Sequence, residues 1–269
     1  MQITNHKIRT FAAVETSHQR YFIEIAFDGG AYHGWQIQSN ALTVQELLDK
    51  ALTTLLRQPI ATVGCGRTDT GVHAKQLFAH FDYPAMAFPM EDHEFLHRLN
   101  ALLPHDIAVK RLIAVAPDAH ARFDATKRSY EYHAHLHKDP FLHGRSWLLR
   151  DTPDVSAMNE AAAMLYPYED FSCFSKSHTQ VFTNNCSVMH AEWQWKSNDR
   201  LVFHISANRF LRNMVRAIVG TLMEIGRGEY PPEHMHTVIQ SKDRAVAGSS
   251  VPACGLYLTE VVYPYVNAI

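Results

Sequence analysis

The chain has 269 residues, 46% of them apolar, enough for one large core or two smaller ones. Its formal net charge of -2 excludes recognition of a polyanion by overall charge, so a nucleic-acid reading needs a local basic patch. Cys65, Cys173, Cys186 and Cys254 show no C-x-x-C spacing, which excludes the usual zinc-ribbon and redox frameworks and fits reduced thiols in a cytoplasmic protein. Roughly the first 18 residues are mixed polar, lack a signal core and read as a flexible arm. No apolar run reaches the length of a membrane helix.

Tyr21, Ile23, Ile25 and Phe27 alternate on one face and predict a strand, ended by Asp28-Gly29-Gly30. Thr43 and Glu46 make a capping box for a helix that buries Val44, Leu47, Leu48, Ala51, Leu52, Leu55 and Leu56, with Pro59 closing it. Ile60 to Cys65 predicts a second strand, and Leu77, Ala79 and Phe81 mark a third. Phe95, Leu96, Leu99, Leu102 and Leu103 form a second helical face stopped by Pro104, and Ile107 to Val115 predicts a fourth strand. This β-α-β-β-α-β order is ferredoxin-like.

The second half repeats the order without obvious identity. Ser129 to Leu136 predicts a strand, and Val155, Met158, Ala162 and Leu165 a helix. Cys186 to Trp195 and Leu201 to Ala207 predict a hairpin around Ser197-Asn198-Asp199. Phe210 to Ile225 predicts one strong helix ended by Gly226, followed by a shorter helix from Pro231 or Pro232 and a last strand, Leu256 to Tyr263. The fold class is α+β, with ferredoxin-like halves over 19–116 and 117–269.

Between the second and third strands runs Gly64-Cys-Gly-Arg-Thr-Asp-Thr-Gly-Val-His-Ala74. Three glycines in eight residues predict a tight loop that presents Arg67 and Asp69 on a rigid sheet. A surface ion pair in a turn is the plain alternative. The stretch is not a phosphate loop, since it lacks the Gly-Lys-Ser/Thr ending and no helix pattern follows.

Gly66-Arg67-Thr68-Asp69-Thr70-Gly71-Val72-His73-Ala74 closely resembles the signature of the tRNA pseudouridine synthase A family, with Thr70 where that family usually has Ala. Phe123 to Tyr132, Asn208 to Gly220 and Gly255-Leu256-Tyr257-Leu258 resemble further family blocks, so the likeness spans roughly residues 21 to 263. Lys75, where Gly is common, and Thr183-Asn184-Asn185-Cys186, where many members carry an arginine, depart from the pattern.

The resemblance implies two halves sharing one extended, mostly antiparallel sheet with helices on one face. It implies isomerisation of uridine to pseudouridine at positions 38, 39 and 40 of the tRNA anticodon stem-loop, by a cytoplasmic homodimer, with neither cofactor nor metal. Asp69 is then the catalytic residue, acting as nucleophile or base at the sugar or ring in a water-poor pocket. Arg67 is expected to keep it ionised and aimed. Tyr130 is expected to pack on the target uracil once the base has left its stack.

Arg209, Arg212 and Arg216 stand at helical spacings of three and four and predict a basic stripe that contacts phosphates or lies solvated. His133, His135 and His137 alternate as zinc ligands can; the plain alternative is three histidines on a half-exposed strand end. A non-enzymatic RNA-recognition module shares the element order, but no segment matches its Lys/Arg-Gly-Phe/Tyr-Gly/Ala-Phe run.

Overall fold

The computed structural model describes residues 18–84, 90–176 and 183–266. The arm expected at the start lies, up to residue 17, outside the described residues. The elements are β1 His18–Phe27, α1 Val44–Leu56, β2 Val63–Gly64, β3 His73–Pro84, α2 Asp92–Leu102, β4 Ile107–Val115 and β5 Lys127–His135. They continue with β6 Trp147–Leu148, α3 Val155–Ala163, β7 Val188–Ser197, β8 Arg200–Ala207, α4 Met214–Gly226, α5 His234–Ser241 and β9 Leu256–Val262. No helix among the described residues is long and apolar enough to cross a membrane.

One sheet carries the order β4-β1-β3-β9-β5-β8-β7, with β2 on β3 and β6 on β5. It is antiparallel except where β3 meets β9 and β5 meets β6. The same order is used twice: β4-β1-β3-β2, then β9-β5-β8-β7. Two parallel pairs, His73 with Tyr257 and Ala74 with Leu258, form the β3–β9 seam.

Direct opposition puts Phe27, Ala74, Leu258, Tyr130, Ile205 and Ala191 on one face of the sheet. Apolar residues of this face pack with α1 and α2 into one core and with α3, α4 and α5 into another. Tyr130 packs against both. The expected cap of α1 is present, Thr43 Oγ1 accepting from the Glu46 N–H at 3.4 Å.

Two expectations are corrected, and one strand is added. The second strand shrinks to Val63–Gly64, because the backbone before it bonds to side chains of α1: the Ile60 N–H donates to Thr53 Oγ1 at 3.0 Å and the Thr62 N–H to Asp49 Oδ1 at 3.1 Å. The strong helix begins at Met214 instead of Phe210, since Asn213 has φ 67°, a left-handed conformation that a right-handed helix cannot contain. Strand β6 was not foreseen, as two residues carry no periodicity.

His80 on β3 is 5% exposed, and its Nδ1 accepts the Ala121 N–H at 3.2 Å. Burial, reinforced by the charge of Arg20, pushes its imidazole down to about 4. The unfolded chain takes up this proton near 6.5, so between about 6.5 and about 4 the unfolded state binds more protons than the folded one. Stability is therefore lost as pH falls through that window, by up to about 3 kcal/mol. His80→Gln keeps an acceptor but cannot titrate, and should flatten this part of the melting-temperature profile. Thermal melts of both proteins from pH 7 to pH 4 check it.

Candidate active site

The Asp69 loop is shaped from both ends. The Cys65 N–H still donates to Phe78 O at 2.7 Å, holding the chain on β3. Beyond it a turn closes where the Val72 N–H donates to Asp69 O at 3.1 Å. Gly71, third in this turn, has φ +78°, as a type II turn requires. The loop is backed by the segment after β1: the Gly71 N–H donates to Tyr32 O at 3.2 Å. Gly34 has φ +87°, and a Cβ there would sit 2.2 Å from Thr68 O. Only glycine allows that approach.

The Asp69 carboxylate faces the second half of the chain. Its Oδ2 accepts from Arg216 Nη1 at 3.3 Å, and its Oδ1 lies 3.8 Å from Arg212 Nε. Arg216, in the first turn of α4, is steadied by donating Nε–H to Val251 O at 2.8 Å. Asn213 bonds Ser250 Oγ, which also accepts from Arg244 Nη2 at 3.0 Å.

A cleft of about 1060 Å³ opens above the carboxylate. His33, Gln36, Ile37, Gln38 and the segment Arg67–Thr70 line one side. Lys176, Arg212, Asn213, Arg216, Arg244 and Ser250 line the other. Among these residues Arg67, Lys176, Arg212, Arg216 and Arg244 are cationic and Asp69 is the sole acid. The arrangement holds one fixed carboxylate in a setting that attracts a polyanion.

Residues 161–264 match the profile of a tRNA pseudouridine synthase family. The chain is 51% identical over 247 residues to the tRNA pseudouridine synthase A of Parabacteroides distasonis, covering 91% of this chain and 96% of the relative. It is 50% identical over 246 residues to that of Bacteroides fragilis, covering 91% and 97%. It is 36% identical over 246 residues to that of Exiguobacterium sibiricum, again covering 91% and 97%. The chain belongs to the tRNA pseudouridine synthase A family.

In this tRNA pseudouridine synthase A family member, the predicted site residues separate into groups. Asp69, Arg67, Arg212 and Arg216 meet in the cleft. Arg67 is not the ion partner of Asp69; Arg212 and Arg216 take that place. Arg209 precedes α4 and does not line the cleft, so the expected stripe on one helix is absent. Tyr130 lies on β5, its ring edge-on to Phe210 at 5.1 Å and 88°. Burial raises its phenol, and the negative charge of Asp69 adds a smaller push in the same direction.

The alternating histidines do not converge. His133 Nε2 bonds Glu131 at 2.8 Å, His135 Nδ1 bonds Ser146 Oγ at 2.9 Å, and His137 lies beyond the end of β5. Among the described residues no three His, Cys, Asp or Glu side chains form a metal-binding group. Lys75 pairs with Glu131 at 2.6 Å and does not line the cleft. Lys176 and Arg244 were missed, because each reaches the cleft from a loop with no local pattern.

Gly34→Ala adds a methyl against the Thr68 carbonyl and an L-residue at positive φ. It should lower stability by about 1–3 kcal/mol and displace Thr68 and Asp69. Denaturant titration beside a turnover assay checks both, and Ala at the open position Gly66 is the control.

Proposed function

We propose that this chain isomerises uridine to pseudouridine in tRNA, at positions 38, 39 and 40 of the anticodon stem-loop, with Asp69 as the reacting carboxylate. The observation that carries the reading is a single carboxylate, held by Arg216 at 3.3 Å, in a cleft whose other charged lining residues are all cationic. Family membership supports the reaction, and the resemblance of the loop supports the role of Asp69.

The reaction breaks the uracil N1–C1′ bond, turns the base, and joins C5 to C1′. C5 gives up a proton and N1 ends with one, so nothing is added from outside. The target base must first leave its stack, at a cost of a few kcal/mol. Arg67, Arg212, Arg216, Lys176 and Arg244 bind the flanking phosphates, which positions the strand without reading its bases. Arg216 aims the carboxylate, with its own guanidinium fixed by Val251 O. Tyr130 packs against the extruded uracil, on the sheet face between the two cores. By the family resemblance the chain acts as a cytoplasmic homodimer, its halves divided near residue 116.

Asp69→Asn should reduce pseudouridine formation by about 10⁴-fold or more, the scale for losing a reacting group, and leave tRNA affinity within a few-fold. Single-turnover assays on an unmodified tRNA transcript, with binding measured separately, check it. Turnover near wild type would remove Asp69 from the role.

Arg212→Gln and Arg216→Gln should separate holding RNA from aiming the carboxylate. Each should lower the slope of log affinity against log salt by about 0.7 to 0.9. Arg216→Gln should also lower the rate of bound substrate, because it frees Asp69. A salt series combined with single-turnover rates reads both effects. Unchanged slopes would refute the phosphate contacts.

A further inference from the structure

We propose that Arg122 and Phe123 form a second nucleotide-binding surface beside the Asp69 cleft, where the Phe123 ring stacks on one RNA base and Arg122 and Arg209 hold its phosphates. This rests on the reading of the substrate as tRNA.

Phe123 is 72% exposed, and it is held in place. The His120 ring backs it, centroids 4.3 Å apart at 34°, and the Arg122 guanidinium lies 5.7 Å from its centroid. His120 Nδ1 accepts the backbone N–H of Arg122 at 3.1 Å and of Phe123 at 3.3 Å. The His120 backbone N–H donates to Asp124 Oδ2 at 2.7 Å. The loop is thus built to present an open aromatic face.

Arg128 gathers cations around that face. Its Nη2 donates to Arg122 O at 2.7 Å and Cys65 O at 3.2 Å, and its Nη1 to Ala125 O and Asn208 O at 2.9 Å each. One half-buried guanidinium therefore ties down Arg122 itself, the residue two before Arg67 and the residue before Arg209. Among the described residues, none of Arg67, Arg122, Arg128 and Arg209 forms an ion pair with a carboxylate. Burial and the charges of Arg67, Arg209 and Arg128 push Arg122 below its ordinary value, the sign of like charges crowded together. A bound anion relieves that repulsion.

Cations beside a free aromatic face suit a single-stranded nucleotide, whose base stacks while its phosphates pair with arginine. Arg67 belongs to this cluster and to the cleft lining, so one RNA strand can touch both surfaces.

The test uses the full chain and an unmodified tRNA transcript. Phe123→Ala and Phe123→Leu should each weaken binding roughly tenfold, whereas Phe123→Trp should keep it, because stacking needs a π face. Melting temperatures should stay at the wild-type value, since the ring is exposed. Arg122→Gln should lower the salt slope by about 0.7 to 0.9. Phe123→Ala at wild-type affinity, or Phe123→Leu binding as well as wild type, would overturn the stacking surface and leave the proposed activity standing. Binding that depends on Phe123 in a protein forming no pseudouridine would support the surface and overturn the activity. Protein that binds no tRNA would overturn both. A changed sedimentation mass of RNA-free Phe123→Ala would assign the ring to a second copy and overturn this proposal.

Discussion

The site depends on a seam two residue pairs long. His73 opposite Tyr257 and Ala74 opposite Leu258 are the register pairs that join β3 to β9. Side chains reinforce this short contact. The His73 ring stacks on Tyr257 at 4.5 Å and 18°, and its Nε2 meets Cys254 O at 3.2 Å. Its Nδ1 lies 3.0 Å from the Gly29 N–H and from the Asp28 carboxylate. One buried imidazole therefore ties the end of β1, the start of β3 and the approach to β9. Asp69 stands four residues before His73, and Arg216 reaches it from α4 in the other half of the chain. Loosening the seam would separate the carboxylate from its cation and disturb both cores, since Ala74 and Leu258 belong to the first and Val72 and Leu256 to the second.

A chain of net charge -2 can still present a strongly basic surface, because position outweighs total. The acids are spent elsewhere in pairs on the sheet, such as Glu24 with Arg111 and Glu131 with Lys75. The cleft keeps five cations against one carboxylate. In that setting Asp69 is partly neutralised by Arg216 and Arg212, which lowers its repulsion of incoming phosphates. The same two arginines thus hold the acid and admit the polyanion.

Much of the fold was legible because its signals are local. The face of α1, the strand Ile107–Val115 and the hairpin at Ser197-Asn198-Asp199 each follow from periodicity or turn chemistry within a dozen residues. The position of Asp69 in a glycine-bounded loop was legible for the same reason. What escaped depends on distant contacts. Shortening of β2 follows from Thr53 and Asp49 of α1 taking the Ile60 and Thr62 N–H groups, and no pattern near Val63 encodes those contacts. Arg67 looked like the partner of Asp69 because it is two residues away. The true partners lie about 145 residues further on in sequence. Lys176 and Arg244 carry no signal of their own.

The arginines before and within α4 show why helical spacing misled. Arg209, Arg212 and Arg216 share a face only if the helix runs through all three. Asn213 in the left-handed conformation breaks it, and its side chain turns to Ser250 instead of capping α4. The break redirects the chain, so Arg212 and Arg216 close on Asp69 while Arg209 joins Arg122 and Arg67 around Arg128. A continuous helix would have lined all three along one track. The interrupted one spreads positive charge to both sides of Arg67, which widens the surface available to a bent strand. That widening needs Asn213: a β-branched residue there would resist positive φ, and a helix extended back to Phe210 would move Phe210 off Tyr130.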